Sequence, residues 1–151
     1  MSATERLAEL EITLPKVAAP AGAYIPAVRT GNLVYTSGQL PFVDGTLYAA
    51  GLVGSEVDPA DAHECARLCA LNALAAIDEL VGLDAVVRVV KVLGFVASAD
   101  GFVGQPAVVN GASELLGEVF GEAGRHARSA VGVAQLPMCA PVEVELIVEV
   151  A

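Results

Sequence analysis

Positive charge is scarce in this chain. Eight Lys and Arg stand against eighteen Asp and Glu, a formal charge of −10. Nucleic-acid affinity rests on clustered cations that track the phosphate backbone. Here the few cations are scattered, so no nucleic-acid partner is expected. Charge of either sign is also thin, 17% of residues against 55% hydrophobic, where an ordinary soluble domain carries roughly a quarter. That leaves too little polar surface to coat a lone copy, and large apolar patches mark interaction surfaces, so an oligomer is expected. No apolar run reaches the roughly 18 residues of a membrane span, and the acidic, mixed start from Met1 to Glu9 is unlike a signal peptide. A cytoplasmic protein without a membrane partner is the expectation. Three cysteines build no disulfide framework. Cys65 and Cys69, four apart on a predicted helix, read as small core hydrophobes rather than as a metal site with His63. Cys139 falls in a connection. His63 and His126 read as surface residues, and no Ser–His–Asp spacing forms a nucleophilic triad.

What is present fits one domain over residues 1–151. Ser2 or Thr4 caps a short helix through about Leu10, ended before Pro15. Ala23 to Thr30 reads as a strand, and Gly31-Asn32 turns it into a second, Leu33 to Gln39. Asp44-Gly45 makes another turn, with a short strand near Thr46 to Tyr48 and a loop over Gly51 to Val57. Asp58-Pro59 opens a long helix with an aspartate cap and a first-position proline, and Gly82 stops it. Its apolar residues cover more than one stripe, so deep burial is expected. Val86 to Ala97 is a long, almost continuously apolar strand that needs cover on both faces. Pro106 to Phe120 makes a second helix, closed by Gly121 and Gly124.

Two β-rich runs end the chain, Arg125 to Pro137 and Val142 to Val150, around a short break that holds the prolines. They read as an antiparallel hairpin. Arg128 puts a guanidinium among small and apolar neighbours, which is expensive without a partner. A bound carboxylate would offset that expense, because the planar fork of arginine matches two oxygens. A Glu partner at the strand end, or a snorkelling side chain, would do so equally.

Arg128-Ser-Ala-Val-Gly-Val-Ala-Gln-Leu-Pro137 followed by Val142-Glu-Val-Glu145 resembles the C-terminal signature of the YjgF/RidA family of reactive-intermediate deaminases. The likeness extends back through Asn110 to Gly31–Gln39 and Gly22-Ala-Tyr24, covering the chain from about Pro20 onward. It implies an α+β, chorismate-mutase-like fold: a mixed sheet with both helices on one face, and three subunits packing the other faces into a barrel. It further implies cofactor-free hydrolysis of small enamines or imines from amino-acid metabolism to 2-oxo acids and ammonia. Arg128 would hold the substrate carboxylate, Glu143 would order or activate water, and Tyr24 would hydrogen-bond the ligand. Asn110, the Gly38 backbone and Ala130 would line the pocket. No metal or organic cofactor is required, since imines hydrate once water and a proton are positioned.

With a hairpin closing near Cys139, Glu143 pairs near Ala134 or Gln135 and Arg128 lies near Glu149. The two are then about 20 Å apart along the ladder, so a shared site would need two subunits. Departures from the family pattern put the substrate in question: Ala130 stands where many members have cysteine, Gly132 replaces an acidic residue, Ala23 replaces a proline, and Asp44 to Val57 is long. Glu143, Tyr24 and Asn110 can each be read as ordinary structural residues. A non-catalytic module binding small carboxylates, or a scaffold using Arg128 for interface ion pairs, stands as the alternative.

Overall fold

The computed structural model of the chain describes residues 1–151. Helix α1 (Ala3–Glu9) starts on a capping box. The Ser2 hydroxyl accepts from the Glu5 N–H at 3.1 Å, and the Glu5 carboxylate takes the Ser2 N–H at 2.8 Å. Strand β1 is shorter than its β-prone sequence predicts, spanning only Ala27–Thr30. Pro26 has no N–H to give a ladder, and upstream the Tyr24 N–H closes on the Gly22 carbonyl at 3.0 Å, bending the chain. Gly31, at φ +58°, turns β1 into β2 (Leu33–Thr36). Asp44 and Gly45, both at positive φ, join the two-residue strands β3 (Phe42–Val43) and β4 (Thr46–Leu47). This is the turn that an Asp-Gly pair favours.

Helix α2 (Pro59–Val81) runs from the Asp58 cap to Gly82 as its sequence foretells, with Ala62, Cys65, Ala66, Cys69 and Leu74 all buried. The cysteines do serve as core thiols. Burial pushes the Cys65 thiol up to about 12, with Asp61 and Glu64 adding to the shift. Next come β5 (Val86–Ala97), α3 (Gln105–Phe120), β6 (Ala127–Val133) and β7 (Val142–Val150). Glycine brings α3 close on two sides. A Cβ at Gly94 of β5 would overlap Val109, and one at Gly111 would overlap the His63 carbonyl of α2.

The expected hairpin between the last two strands does not form. The sheet order is β1-β2-β7-β5-β6, with β3-β4 apart. Strand β6 runs parallel to β5, while β7 lies antiparallel to both β5 and β2. The reason is the crossover: a strand, helix and strand in succession place the second strand parallel beside the first. The segment between Val133 and Val142 therefore passes across β5 to reach its other side. The result is a mixed α+β sheet with α2 and α3 on one face. The even-numbered residues of β7, Val142 to Val150, are buried beneath the helices, and the odd-numbered ones from Glu143 to Glu149 are only partly covered. That second face also carries Tyr35, Phe95 and Val131.

Candidate functional site

Strand β6 is an edge strand, and Arg128 stands on its helix-facing side. Its register partner Val92 points into the core, and the next residue on that side, Ala130, packs against the core. Three acceptors on α3 hold the guanidinium. Nη1 donates to Asn110 Oδ1 at 2.8 Å and to Ser113 Oγ at 3.3 Å, and Nη2 donates to the Pro106 carbonyl at 3.2 Å. No carboxylate pairs with Arg128: the chain's ion pairs are Arg6–Glu9, His63–Glu114, Arg67–Glu64 and Arg125–Glu122. The intrachain Arg128–Glu pair considered from the sequence is absent. Of five N–H groups, three are taken, and the Nε–H and one Nη2–H have no partner within the chain. Donors on adjacent nitrogens are what a carboxylate binds in bidentate fashion.

The second cluster lies elsewhere. Glu143, at the start of β7, lays its carboxylate against Gly38, where any Cβ would collide with it. Gly38 and Tyr24 share a cavity of about 200 Å³ with Ala19, Pro20, Pro26 and Met138. The Tyr24 hydroxyl accepts from the Ala21 N–H at 3.0 Å, so its own proton is free to donate outward. Met138 closes the cavity from a left-handed conformation, φ +59°, an uncommon state for a side-chain-bearing residue and one that clusters at functional sites. Burial, and next the charge of Glu145, raise the Glu143 carboxyl above the ordinary glutamate range. Burial raises Glu145 as well. A roomier cavity of about 430 Å³ adjoins, lined by Lys16, Val17, Phe42, Asp44 and Asn72 among others. It holds none of the candidate side chains, and Asn72 there ties down the carbonyls of Leu40 and of Phe42 in β3. Size alone does not make it the site.

The predicted residues therefore form two groups: Arg128, Asn110 and Ala130 in one, Tyr24, Gly38 and Glu143 in the other. Arg128 is level with Val92 and, through it, with Leu146, three positions from Glu143. Three residues along the strand and two strand spacings across separate the Cα atoms by about 14 Å. This replaces the hairpin-based figure and adds a stronger obstacle, since the two side chains project from opposite faces of the sheet. One chain cannot close both around one small substrate.

Two residues were missed. Ser113 lies three after Asn110 on α3, so both meet the same guanidinium, a spacing that could have signalled it. His126 is not the free surface residue expected: it is half-buried, with Nε2 2.8 Å from Ser113 Oγ and Nδ1 2.6 Å from the Gly124 carbonyl. His63 lies at the surface, partly covered, and pairs with Glu114 at 3.0 Å.

A family model described as "YjgF/chorismate mutase-like, putative endoribonuclease" matches residues 4–150. Protein TCP17 of Trypanosoma cruzi is 46% identical over 145 residues, covering 95% of this chain and 91% of that protein. Among solved structures, the Agrobacterium tumefaciens protein Atu1372, of unknown function, is 48% identical and superposes with a TM-score of 0.89 over 99% of this chain and 92% of its own. E. coli TdcF, solved with bound serine, is 28% identical with a TM-score of 0.66, covering 92% of this chain and 96% of its own. With a family model matching residues 4–150 and a mixed sheet that carries two helices on one face, the chain belongs to the YjgF/RidA family and has its chorismate-mutase-like fold.

Proposed function

We propose that this chain hydrolyses small enamines and imines of amino-acid metabolism to 2-oxo acids and ammonia, in clefts between the subunits of a homotrimer. One observation carries the reading: a buried-side arginine is held in place by neutral acceptors alone, with two adjacent N–H groups left over. Those acceptors leave its charge uncompensated, and the two free N–H groups on adjacent nitrogens have the fork geometry that an incoming carboxylate matches. TdcF, the relative solved with serine, binds a ligand that bears such a group.

In the proposed cleft, Arg128 of one subunit grips the substrate carboxylate and Glu143 of the next faces the imine carbon. Glu143 takes a proton from water as the oxygen attacks that carbon. The C=N bond of the protonated imine becomes a C–N single bond and the nitrogen collects the proton from Glu143. The carbon–nitrogen bond then breaks, ammonia leaves, and the carbinol O–H gives its remaining proton back to Glu143 as the C=O bond forms. The net change is imine plus water to ketone plus ammonia. A carboxyl raised above the ordinary range is suited to accepting and returning a proton near neutrality. Tyr24, its proton free, donates to the substrate at the same end. The formal charge of −10 leaves an endoribonuclease reading poorly supported, because no cationic surface would hold a phosphate backbone.

The test is hydrolysis of 2-iminopropanoate, generated in place, by wild type, Arg128→Ala and Glu143→Gln. Losing the charge-assisted pair should lower kcat/KM on the order of 100-fold in Arg128→Ala. Losing the general base should cut kcat by about 100-fold or more in Glu143→Gln. Wild type that binds 2-oxobutanoate yet gives no rate above buffer would replace the enzyme with a carboxylate-binding module.

A further inference from the structure

We propose that Ser113 and His126 form a positioning pair that presets the Arg128 guanidinium for its carboxylate; this rests on the function proposed above. The hydrogen-bond directions follow from chemistry. The Gly124 carbonyl can only accept, so His126 Nδ1, at 2.6 Å, carries the hydrogen. In the neutral ring Nε2 is then an acceptor, and its neighbour at 2.8 Å is the Ser113 hydroxyl. The hydroxyl proton therefore turns toward His126. That leaves the Ser113 oxygen lone pairs facing Arg128 Nη1 at 3.3 Å. A single donor chain results: Arg128 N–H to Ser113, Ser113 O–H to His126, His126 N–H to Gly124. Without the imidazole, the hydroxyl proton could rotate toward the guanidinium and repel it.

The first and last acceptors of the chain are both held by α3. Asn110 and Ser113 belong to that helix. Gly124, buried in the 3-10 turn Gly121–Gly124, sits so close to it that a Cβ would overlap the Leu116 carbonyl. The last receptor of the chain is thus as fixed as the first. Hydrogen bonds in a row polarise one another, which strengthens each. The effect is to hold one orientation of a long, flexible side chain, with the Nε–H and one Nη2–H left for the ligand. Preorganisation of this kind raises affinity by reducing the ordering cost of binding.

The test uses full-length Ser113→Ala, Ser113→Thr, His126→Leu and His126→Gln, with wild type and Arg128→Ala as references. Thermal melts first establish that each is folded. Two readouts then follow: KM and kcat for 2-iminopropanoate, and the dissociation constant for 2-oxobutanoate, which does not react. Ser113→Ala and His126→Leu should raise KM and the dissociation constant about 10-fold, with a smaller change in kcat, because uniform binding is what they lose. Ser113→Thr and His126→Gln, which restore a hydroxyl and an acceptor, should recover most of that affinity. In an Arg128→Ala background, Ser113→Ala should weaken 2-oxobutanoate binding no further, since the pair acts only through the arginine. The NMR signal of the Arg128 Nε–H should broaden in Ser113→Ala.

Ser113→Ala and His126→Leu binding 2-oxobutanoate as wild type does would overturn the proposal, as would losses that remain in the Arg128→Ala background. If wild type binds 2-oxobutanoate without hydrolysing imines, the proposed chemistry fails and the binding arm still decides the positioning role. If wild type binds no carboxylate at all, there is no grip to preset and the positioning role falls with it.

Discussion

Glu143 is stabilised neither by a cation nor by a hydrogen-bond donor among its contacts, and its raised pKa follows from burial beside a like charge. A carboxyl that holds its proton more tightly folded than unfolded makes the protein lose stability as pH rises from the ordinary glutamate range through the higher folded value. Glu143→Gln should accordingly melt above wild type at pH 7, and that advantage should shrink as the pH is lowered toward 4. The same substitution should cost the roughly 100-fold or more in kcat predicted above, as for a residue kept at a cost to stability because function needs it. Thermal melts at both pH values check the first half; a Glu143→Gln protein that melts below wild type at pH 7 would mean the carboxylate makes a stabilising contact. Ala130 and Gly132, by contrast, add no polar group to β6. Ala130 packs against the core, and Gly132 leaves room for Gln105 and Ser98, so Arg128 is the strand's only charged contribution to a pocket.

At the scale of elements, the tightest joint is between α2 and α3, where Gly111 meets the His63 carbonyl. Backbone cannot step aside as a side-chain tip can, so Gly111→Ala should cost about 1–3 kcal/mol, the usual range for overpacking. Urea denaturation measures it, and an unchanged midpoint would show that the helices have room to separate. The elements themselves were largely legible in the chain. Asp58-Pro59 and Gly82 mark α2 to the residue, and Asp44-Gly45 marks its turn, because caps and turns are short-range chemistry. Pairing was legible only in part. The β1–β2 hairpin has a two-residue link and could be read locally, whereas the neighbours of β6 and β7 depend on where the α3 crossover delivers the chain. At the site, Arg128 stood out as a charge among apolar residues, and Asn110, Gly38 and Glu143 rested on family resemblance. His126 could not be found, since its link to the site, through Ser113 on α3, is set by the fold rather than by spacing.

At the scale of the whole molecule, the uncovered sheet face decides the outcome. Tyr35, Ile147, Leu93, Phe95 and Val131 lie there among Glu143, Glu145 and Glu149, a mixture that solvates poorly and suits contact with further copies. Phe95 is paired with Glu143 in the ladder. Phe95→Glu should therefore place a second negative charge beside it and break the proposed trimer into monomers in sedimentation velocity. Activity should vanish with it, although Arg128 and Glu143 are both intact. Mixing denatured Arg128→Ala and Glu143→Gln chains and refolding them together should restore activity, to about a quarter of wild type if each cleft draws one residue from each neighbour in a closed ring. Mixtures as inactive as either parent would place both residues' work within one chain. The placement of β7 has one more consequence. Residues 142–150 are the keystone of the sheet, the sole ladder joining β1–β2 to β5–β6. A growing polypeptide must therefore hold two unfinished half-sheets apart until this stretch emerges, so the interior closes only once residues 142–150 have been made.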